Sequence, residues 1–234
     1  METRDIKIAL LIPHRNDRPL FLEHLKKMIA GQTLQPSHVY EMNYNPESAE
    51  KDITQRYKRG YSIISALCKI QPVDLIALIE VDDYYSPTYL ETMAAEWLRA
   101  GQPDIMGTNS TIYYHLKLKK YFTINHPRRA SAMNTFIKPG LSFPWCEDNY
   151  AFTDLHLWRL ALPINPIIKP VLKGHLFAPE KIISIGMKHG IGLCGGRNHT
   201  DFFDRFKEDD SNSEFLKLHC DSESYKFYTE YPFE

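Results

Sequence analysis

The strongest constraint in this sequence is an apolar run that ends in carboxylates. Residues 75–79 (LIALI) show no polar alternation and are far too few to span a membrane. A run of this length between polar residues is typical of a strand buried on both faces, like the central strands of a parallel sheet. Glu80, Asp82 and Asp83 follow directly. Their mutual repulsion predicts either a site for a hard divalent cation or a solvated acidic turn.

Strand-like and helix-like patterns alternate through the first hundred residues. Residues 6–12 and 38–43 predict two more strands, and apolar residues recur at helical spacing in 19–30, 53–68 and 86–100. This alternation predicts an α/β fold, with one Rossmann-like domain whose mostly parallel central sheet is flanked by helices. Later strands are expected at 104–107, 111–114, 121–124 and 182–187, and a later helix at 154–160.

The boundaries of these elements carry more specific expectations. Ser86 is expected to cap the third helix, with Pro87 in its first turn, and Gly31 is expected just beyond the end of the first helix. Right-handed crossovers would place the ends of the first and third strands side by side. The loop at 13–17 and the carboxylates at 80–83 should therefore face one crevice, where open α/β sheets bind ligands.

Charge is distributed unevenly, although the net charge is only −1. Residues 105–146 contain six Lys or Arg and no Asp or Glu, whereas the chain from Asp201 onward is acidic. The basic segment predicts contact with something anionic, unless it is simply a solvated face. The sequence has no C-x-x-C pair, no apolar leader and no run of membrane-spanning length. A cytoplasmic protein with reduced thiols and no transmembrane segment is therefore expected.

Three motifs, taken in order, resemble a nucleotide-sugar glycosyltransferase of the GT-A fold, with glycosyltransferase family 2 as the nearest group. Residues 11–16 (LIPHRN) resemble the first strand and its donor-contacting loop, and residues 56–60 (RYKRG) resemble an element that helps to hold the nucleotide. Residues 78–83 (LIEVDD) resemble the D-x-D metal motif, with the departure that Glu80 stands where the family more often has Asp. The resemblance covers roughly residues 5–165.

The resemblance implies a metal-dependent, inverting hexosyl- or pentosyltransferase that uses a nucleotide-diphosphate sugar. Residues 1–110 would form the donor-binding half, and residues 111–234 the acceptor side and C-terminal region of the same domain. Mn²⁺ or Mg²⁺ would lie between the diphosphate and the carboxylates. The implied donor-binding residues are Pro13, His14, Arg15, Asn43, Arg56, Arg59, Gly60, Glu80, Val81 and Asp82, and the implied metal ligands are Asp82, Asp83, His189 and His199.

The two histidines belong to a glycine-rich segment, 188–199, whose composition is unusual for this chain. Its glycines permit a close approach of backbone to a ligand. Besides supplying a metal ligand, this segment could close over the donor as a lid, or it could be an ordinary surface loop.

An inverting transferase also needs a general base, which in the resembling family is an Asp shortly before a helix with a Trp-x-Arg-Leu pattern. Asp148 belongs to a literal Glu-Asp pair, and Asp154 better matches the spacing to the helix. Asp148 is slightly favoured, because Trp145 before it has the character of an acceptor-facing wall. Asp154 is otherwise a first-turn acid of the helix.

The acceptor hydroxyl remains open at the level of the sequence. A glycan or small molecule is one possibility, and a hydroxylated base in DNA, reached through the basic segment 105–146, is another. A nucleotidyltransferase would carry a glycine-rich loop after the first strand, but residues 13–18 contain no glycine. A non-catalytic sugar-binding module that keeps the fold is the remaining alternative.

Overall fold

Helices and strands alternate along the chain in the computed structural model, which describes residues 3–43, 52–148, 150, 152–165, 167–190 and 205–232. The α-helices are α1 (Pro19–Ala30), α2 (Ile53–Leu67), α3 (Tyr89–Arg99), α4 (Thr153–Ala161), α5 (Glu214–His219) and α6 (Ser222–Glu230). The strands are β1 (Ile8–Pro13), β2 (His38–Met42), β3 (Leu75–Leu78), β4 (Tyr84–Tyr85), β5 (Ile105–Thr108), β6 (Ser110–His115), β7 (Lys120–Asn125), β8 (Thr135–Ile137), β9 (Gly174–Phe177), β10 (Ser184–Lys188) and β11 (Glu208–Asp209). Short 3-10 helices cover Thr3–Asp5 and Ala132–Asn134.

Six strands form the larger sheet, in the order β2-β1-β3-β8-β5-β9. Strand β1 pairs in parallel with both β2 and β3, and β5 pairs in parallel with β9. Strand β8 runs antiparallel between β3 and β5. The predicted α/β fold with a mostly parallel central sheet is therefore confirmed, and the first and third strands are neighbours as expected.

Strand β1 is buried on both faces, which explains why its sequence is apolar without alternation. Ile8, Leu10 and Ile12 belong to the core that also contains buried residues of α1 and α3. Ala9 and Leu11 point to the opposite core, where buried residues of α2 and α4 pack. Successive side chains of a strand point to opposite faces, so a strand between two helical layers must be apolar at every position.

Helix α2 lies unusually close to β1 because it carries Gly60. A Cβ atom added at Gly60 would lie 2.2 Å from Cδ1 of Leu11 and 3.0 Å from Cγ of Met42. The absent side chain therefore lets the helix backbone sit directly on the sheet, which offsets the cost of glycine inside a helix.

The smaller sheet has the order β11-β7-β6-β10-β4 and brings the end of β10 to the carboxylates that follow β3. Strands β6 and β7 form an antiparallel hairpin, and β10 pairs in parallel with β6. Strand β10 also pairs antiparallel with β4, with Ile185 opposite Tyr84. Because β4 follows Asp83 directly, this pairing fixes residues 188 and 189 beside the acidic cluster.

The predicted start of the third helix is wrong. Helix α3 begins at Tyr89 rather than just after Ser86. The Ser86 N–H donates to Ile183 O, and its carbonyl accepts both from the Gln32 side chain and from the Tyr89 N–H, in a turn that precedes the helix. Gly31 lies just beyond the end of α1 as expected, with a right-handed φ of −83° rather than the left-handed conformation common after a helix.

Among the described residues, no helix combines the length and the apolar character needed to cross a bilayer.

Candidate active site

The candidate site lies at the carboxyl ends of the adjacent strands β1 and β3. The Ile79 N–H donates to Leu11 O across these two strands, so the segments that leave them begin side by side. Glu80, Asp82 and Asp83 follow β3, and one ligand oxygen from each lies within 4.8 Å of the others. The three carboxylates therefore converge at the carboxyl ends of these strands, which is the edge where open α/β sheets generally bind ligands.

Asp82 is held between Arg18 and His189. Its Oδ2 accepts a hydrogen bond from Arg18 at 2.6 Å and lies 2.7 Å from Nε2 of His189. Burial alone would raise the pKa of Asp82, but the charge of Arg18 and the bond with His189 lower it below the usual value for an aspartate. Asp82 is therefore ionised at neutral pH, as a metal ligand must be.

Among the described residues, the carboxyl groups of Asp83 and Glu80 have fewer positively charged or hydrogen-bonding partners than that of Asp82. The Met187 N–H donates to Oδ1 of Asp83 at 2.8 Å, whereas Oδ2 of Asp83 is buried without a hydrogen-bond partner among the described residues. Burial raises the pKa of Asp83 well above its usual value, and the charges of Glu80 and Asp82 raise it further. Burial and the charge of Asp82 raise the pKa of Glu80 as well.

Lys188, at the end of β10, is a cation of this site that sequence reasoning missed. Its Nζ lies 4.8 Å from the centre of the Tyr113 ring, an arrangement that favours a cation–π interaction. Burial would lower the pKa of Lys188, but the charges of Asp83, Tyr113 and Glu80 raise it above its usual value. Among the described residues, the neighbours that the structure records for the Lys188 ammonium are this ring and the charges of the nearby carboxylates. The signal in the sequence that could have identified Lys188 is its position directly after the predicted strand 182–187.

The three carboxylates fit a divalent cation. Mg²⁺ and Mn²⁺ prefer oxygen ligands, and such sites need only one or two protein carboxylates. Oδ2 of Asp83 is a buried oxygen left without a partner, and such a group costs free energy unless something satisfies it. Asp82 and Asp83 would hold the ion, with Glu80 beside them and His189 already in contact with Asp82.

The structure separates the two candidate bases. Asp154, in the first turn of α4, is buried and bonded to Arg129 at 2.6 Å. Burial raises the pKa of Asp154, and its charge in turn raises the pKa of Glu80, which places the two carboxyl groups in one electrostatic neighbourhood. Asp148 is exposed and pairs with Lys58 at the surface, at 2.9 Å.

Arg15 and Arg56, which are expected to bind the donor, both bind Asp52. Nε of Arg15 is 2.9 Å from this carboxylate, and NH2 of Arg56 lies at the same distance. Arg56 also donates to the carbonyls of His14, at 2.6 Å, and Met42, at 2.9 Å. The buried Arg56 side chain therefore links α2 to the segments that follow β1 and β2.

The other predicted donor residues differ in their exposure to solvent. Pro13 and Val81 are buried, whereas Asn43 and Arg59 are exposed. His14 is buried, with Nε2 3.4 Å from the Glu41 carboxylate, and burial lowers the pKa of this imidazole. Gly60 has the packing role described above.

Tyr84, Tyr85 and Trp145 belong to the core or to aromatic clusters. Tyr84 and Tyr85 are buried in β4, and the Glu80 N–H donates to the Tyr85 hydroxyl at 2.8 Å. Trp145 packs against Tyr61 and Phe143, with ring centres 5.5 and 5.1 Å away. His199, together with most of the segment 188–199, lies outside the described residues.

No protein-family model matches this chain, and a search of curated proteins finds no match either. Comparison with solved structures finds similarity to S. aureus TarS residues 1–349, with 11% identity and a TM-score of 0.47 over 78% of this chain and 61% of that chain. The same TarS fragment in complex with UDP matches with 10% identity and a TM-score of 0.47 over 97% of this chain and 76% of that chain. A glycosyltransferase involved in the glycosylation of the major capsid of PBCV-1 matches with 12% identity and a TM-score of 0.42 over 75% and 84% of the two chains. This chain spans about three fifths of the first of these structures.

Proposed function

We propose that this protein is a glycosyltransferase that moves a sugar from a nucleotide-diphosphate sugar to an acceptor hydroxyl with inversion. The observation that carries this proposal is the combination of groups at one sheet edge. A carboxylate cluster able to hold a divalent cation lies there together with Lys188. The buried carboxyl group of Asp154 lies in the same electrostatic neighbourhood.

The leaving diphosphate defines the role of the cationic groups. As the bond between the sugar C1 and the phosphate oxygen breaks, its electron pair stays with the diphosphate. A divalent cation bound by Asp82 and Asp83 supplies positive charge to the phosphate oxygens when it is present. Lys188, which approaches the cluster from β10, adds a fixed positive charge that stabilises the leaving group without reorganisation.

The acceptor side needs a group that takes one proton. We assign this role to Asp154 rather than to Asp148, because Asp154 is buried near the cluster and its raised pKa makes it a stronger base than an exposed aspartate. The acceptor oxygen forms a bond with C1 while its proton passes to Asp154. Arg129 orients the carboxylate through the 2.6 Å hydrogen bond, and its charge lowers the pKa that burial raises.

A small-molecule or glycan acceptor is favoured over DNA by the position of the acidic C-terminal region. Strand β11 pairs with β7 so that Asp209 stands opposite Lys120 in the basic hairpin. Asp210 follows, with its N–H donating to Lys119 O and its carboxylate accepting from the Tyr114 hydroxyl. These carboxylates reduce the positive field of the hairpin that a DNA backbone would require.

A thermal-shift screen of nucleotide-diphosphate sugars with and without Mn²⁺ tests the proposal. A bound donor raises Tm by mass action, and the increase should depend on Mn²⁺ and on Asp82. Asp82→Ala should abolish it, whereas Glu23→Ala, which removes an exposed carboxylate of α1, should not. If no donor stabilises the wild-type protein under either condition, the proposal is wrong. A filter-binding assay with duplex DNA at low and high salt tests the DNA alternative separately.

A further inference from the structure

The loop between α4 and β9 exposes a group of aliphatic side chains that the candidate active site does not use. In this loop, defined here as the apolar loop (residues 163–165 and 167–171), Ile164, Ile167, Ile168 and Val171 are 68%, 86%, 57% and 54% exposed. Single exposed aliphatic residues are ordinary, but four within eight residues form a patch. Such a patch indicates an interaction surface.

Hydrogen bonds within the protein satisfy several backbone polar groups of the apolar loop. The Ile167 N–H donates to the Asn165 side chain and the Ile168 N–H donates to the Asn165 carbonyl. Arg128 donates to the carbonyls of Pro163 and Ile164, at 2.8 and 3.2 Å. The sequence NPIIKP also reduces the number of backbone donors, because proline has none. A segment that enters a bilayer must satisfy its backbone polar groups internally, and a surface that faces water has no such requirement.

The charges around the apolar loop are positive. Residues 155–179 contain Arg159, Lys169 and Lys173 and no Asp or Glu. Lys169 and Arg159 are exposed and form no ion pair within the described part of the chain, and Arg128 adds a further exposed cation against the loop. Long cationic side chains beside aliphatic ones can place their charges among lipid headgroups while the aliphatic groups enter the acyl region.

We propose that the apolar loop docks this protein on the surface of a bilayer that contains anionic phospholipids. The isoleucines of the loop insert shallowly into the bilayer, and the flanking cations are attracted to the negative headgroups. Protein interfaces concentrate binding energy in aromatic side chains and arginines that fill pockets, whereas this patch is aliphatic and protruding. A second copy of the chain is the competing occupant, and it gives a different experimental result.

Vesicle flotation tests the proposal with the full chain. Wild-type protein should float with vesicles of phosphatidylcholine and phosphatidylglycerol, bind more weakly to phosphatidylcholine alone, and detach partly at high salt. The double variant Ile167→Asp/Ile168→Asp should lower the bound-to-free ratio at least about tenfold, because two isoleucines leave the apolar phase. The matched controls Ile70→Asp and Leu218→Asp, at positions 76% and 77% exposed elsewhere, should bind like wild type.

Two outcomes overturn the proposal. One is a wild-type protein that does not float with anionic vesicles at low salt. The other is a dimer, detected by light scattering, that Ile167→Asp/Ile168→Asp converts to a monomer, since the patch would then be an interface between copies. Circular dichroism of the variant shows whether it is folded. Vesicle binding needs neither donor nor acceptor, so its failure would leave the proposed transferase activity untouched.

Discussion

The sharpest prediction contrasts Asp154→Asn with Asp148→Asn. Both substitutions remove one carboxylate charge while nearly preserving side-chain shape. Asp154 is buried, bonded to Arg129 and close enough to Glu80 to raise its pKa. Asp148 is exposed, and its partner Lys58 is exposed as well, so this pair is an ordinary surface ion pair. Only the first substitution should remove the proposed base.

The two substitutions should differ strongly in their effect on the rate of transfer. Removal of a general base lowers the rate by roughly 10²–10⁴-fold, which corresponds to an increase of about 2.7–5.4 kcal/mol in the activation barrier. The asparagine oxygen can still accept from Arg129, so Asp154→Asn should cost about 1–3 kcal/mol of folding free energy. Loss of the surface pair should cost about 0–1 kcal/mol and leave transfer unchanged.

The assay compares sugar transfer under single-turnover conditions with donor binding by thermal shift. Asp154→Asn should lose transfer while keeping the donor-dependent increase in Tm, because Asp154 acts on the acceptor proton. Asp148→Asn should keep both. If transfer by Asp154→Asn proceeds at the wild-type rate, the assignment of the base is refuted, and loss of transfer in Asp148→Asn would return the role to the exposed carboxylate.

Three further predictions test the surroundings of this site. Burial raises the pKa of Asp154 and the charge of Arg129 lowers it, so Arg129→Met should raise this pKa further. The acid limb of the pH profile of kcat/KM should then move to higher pH. If this limb does not move, Arg129 does not influence the base. Lys188→Met should weaken donor binding by roughly 10–100-fold in thermal-shift titrations, the value of a charge-assisted hydrogen bond, whereas the exposed Lys169→Met should not. Gly60→Ala should lower the free energy of unfolding by about 1–3 kcal/mol in urea titrations, because the Cβ of the alanine would overlap a leucine of β1. An unchanged midpoint would mean that α2 can move away from β1 without cost.

The elements nearest the site were predictable because their sequence signals agree with their tertiary environment. Helix α1 has the predicted bounds Pro19–Ala30, since Pro19 starts it and its apolar residues repeat at helical spacing. Strands β1 and β3 are apolar runs because both faces of each are covered. Their adjacency follows from the handedness of the crossover, so the position of the acidic cluster could be predicted as well.

The remaining features depend on contacts between residues that are distant in the sequence. Lys188 is more than one hundred positions from Asp82 and reaches the cluster only because β10 pairs with β4. Arg18 was part of a loop whose direction no local pattern indicates, yet it bonds Asp82 at 2.6 Å. Arg15 and Arg56, which the sequence predicts to bind the donor, share Asp52, a partner that no local pattern indicates. Local periodicity contains no information about such partners.

The two aspartates at the centre of the proposal differ in environment in the way that a division of roles requires. The pKa of Asp82 is lowered by Arg18 and His189, so that this carboxylate stays ionised, whereas burial raises the pKa of Asp154. Carboxyl groups whose surroundings move their pKa values apart are typical of acid and base assignments in enzymes. A buried ion pair such as Asp154 with Arg129 gives little stability in comparison with apolar packing. In a sugar-binding module the substitution Asp154→Asn would cost only stability, whereas in a transferase that uses Asp154 as its base it would also remove transfer, so the rate of this variant decides between the two.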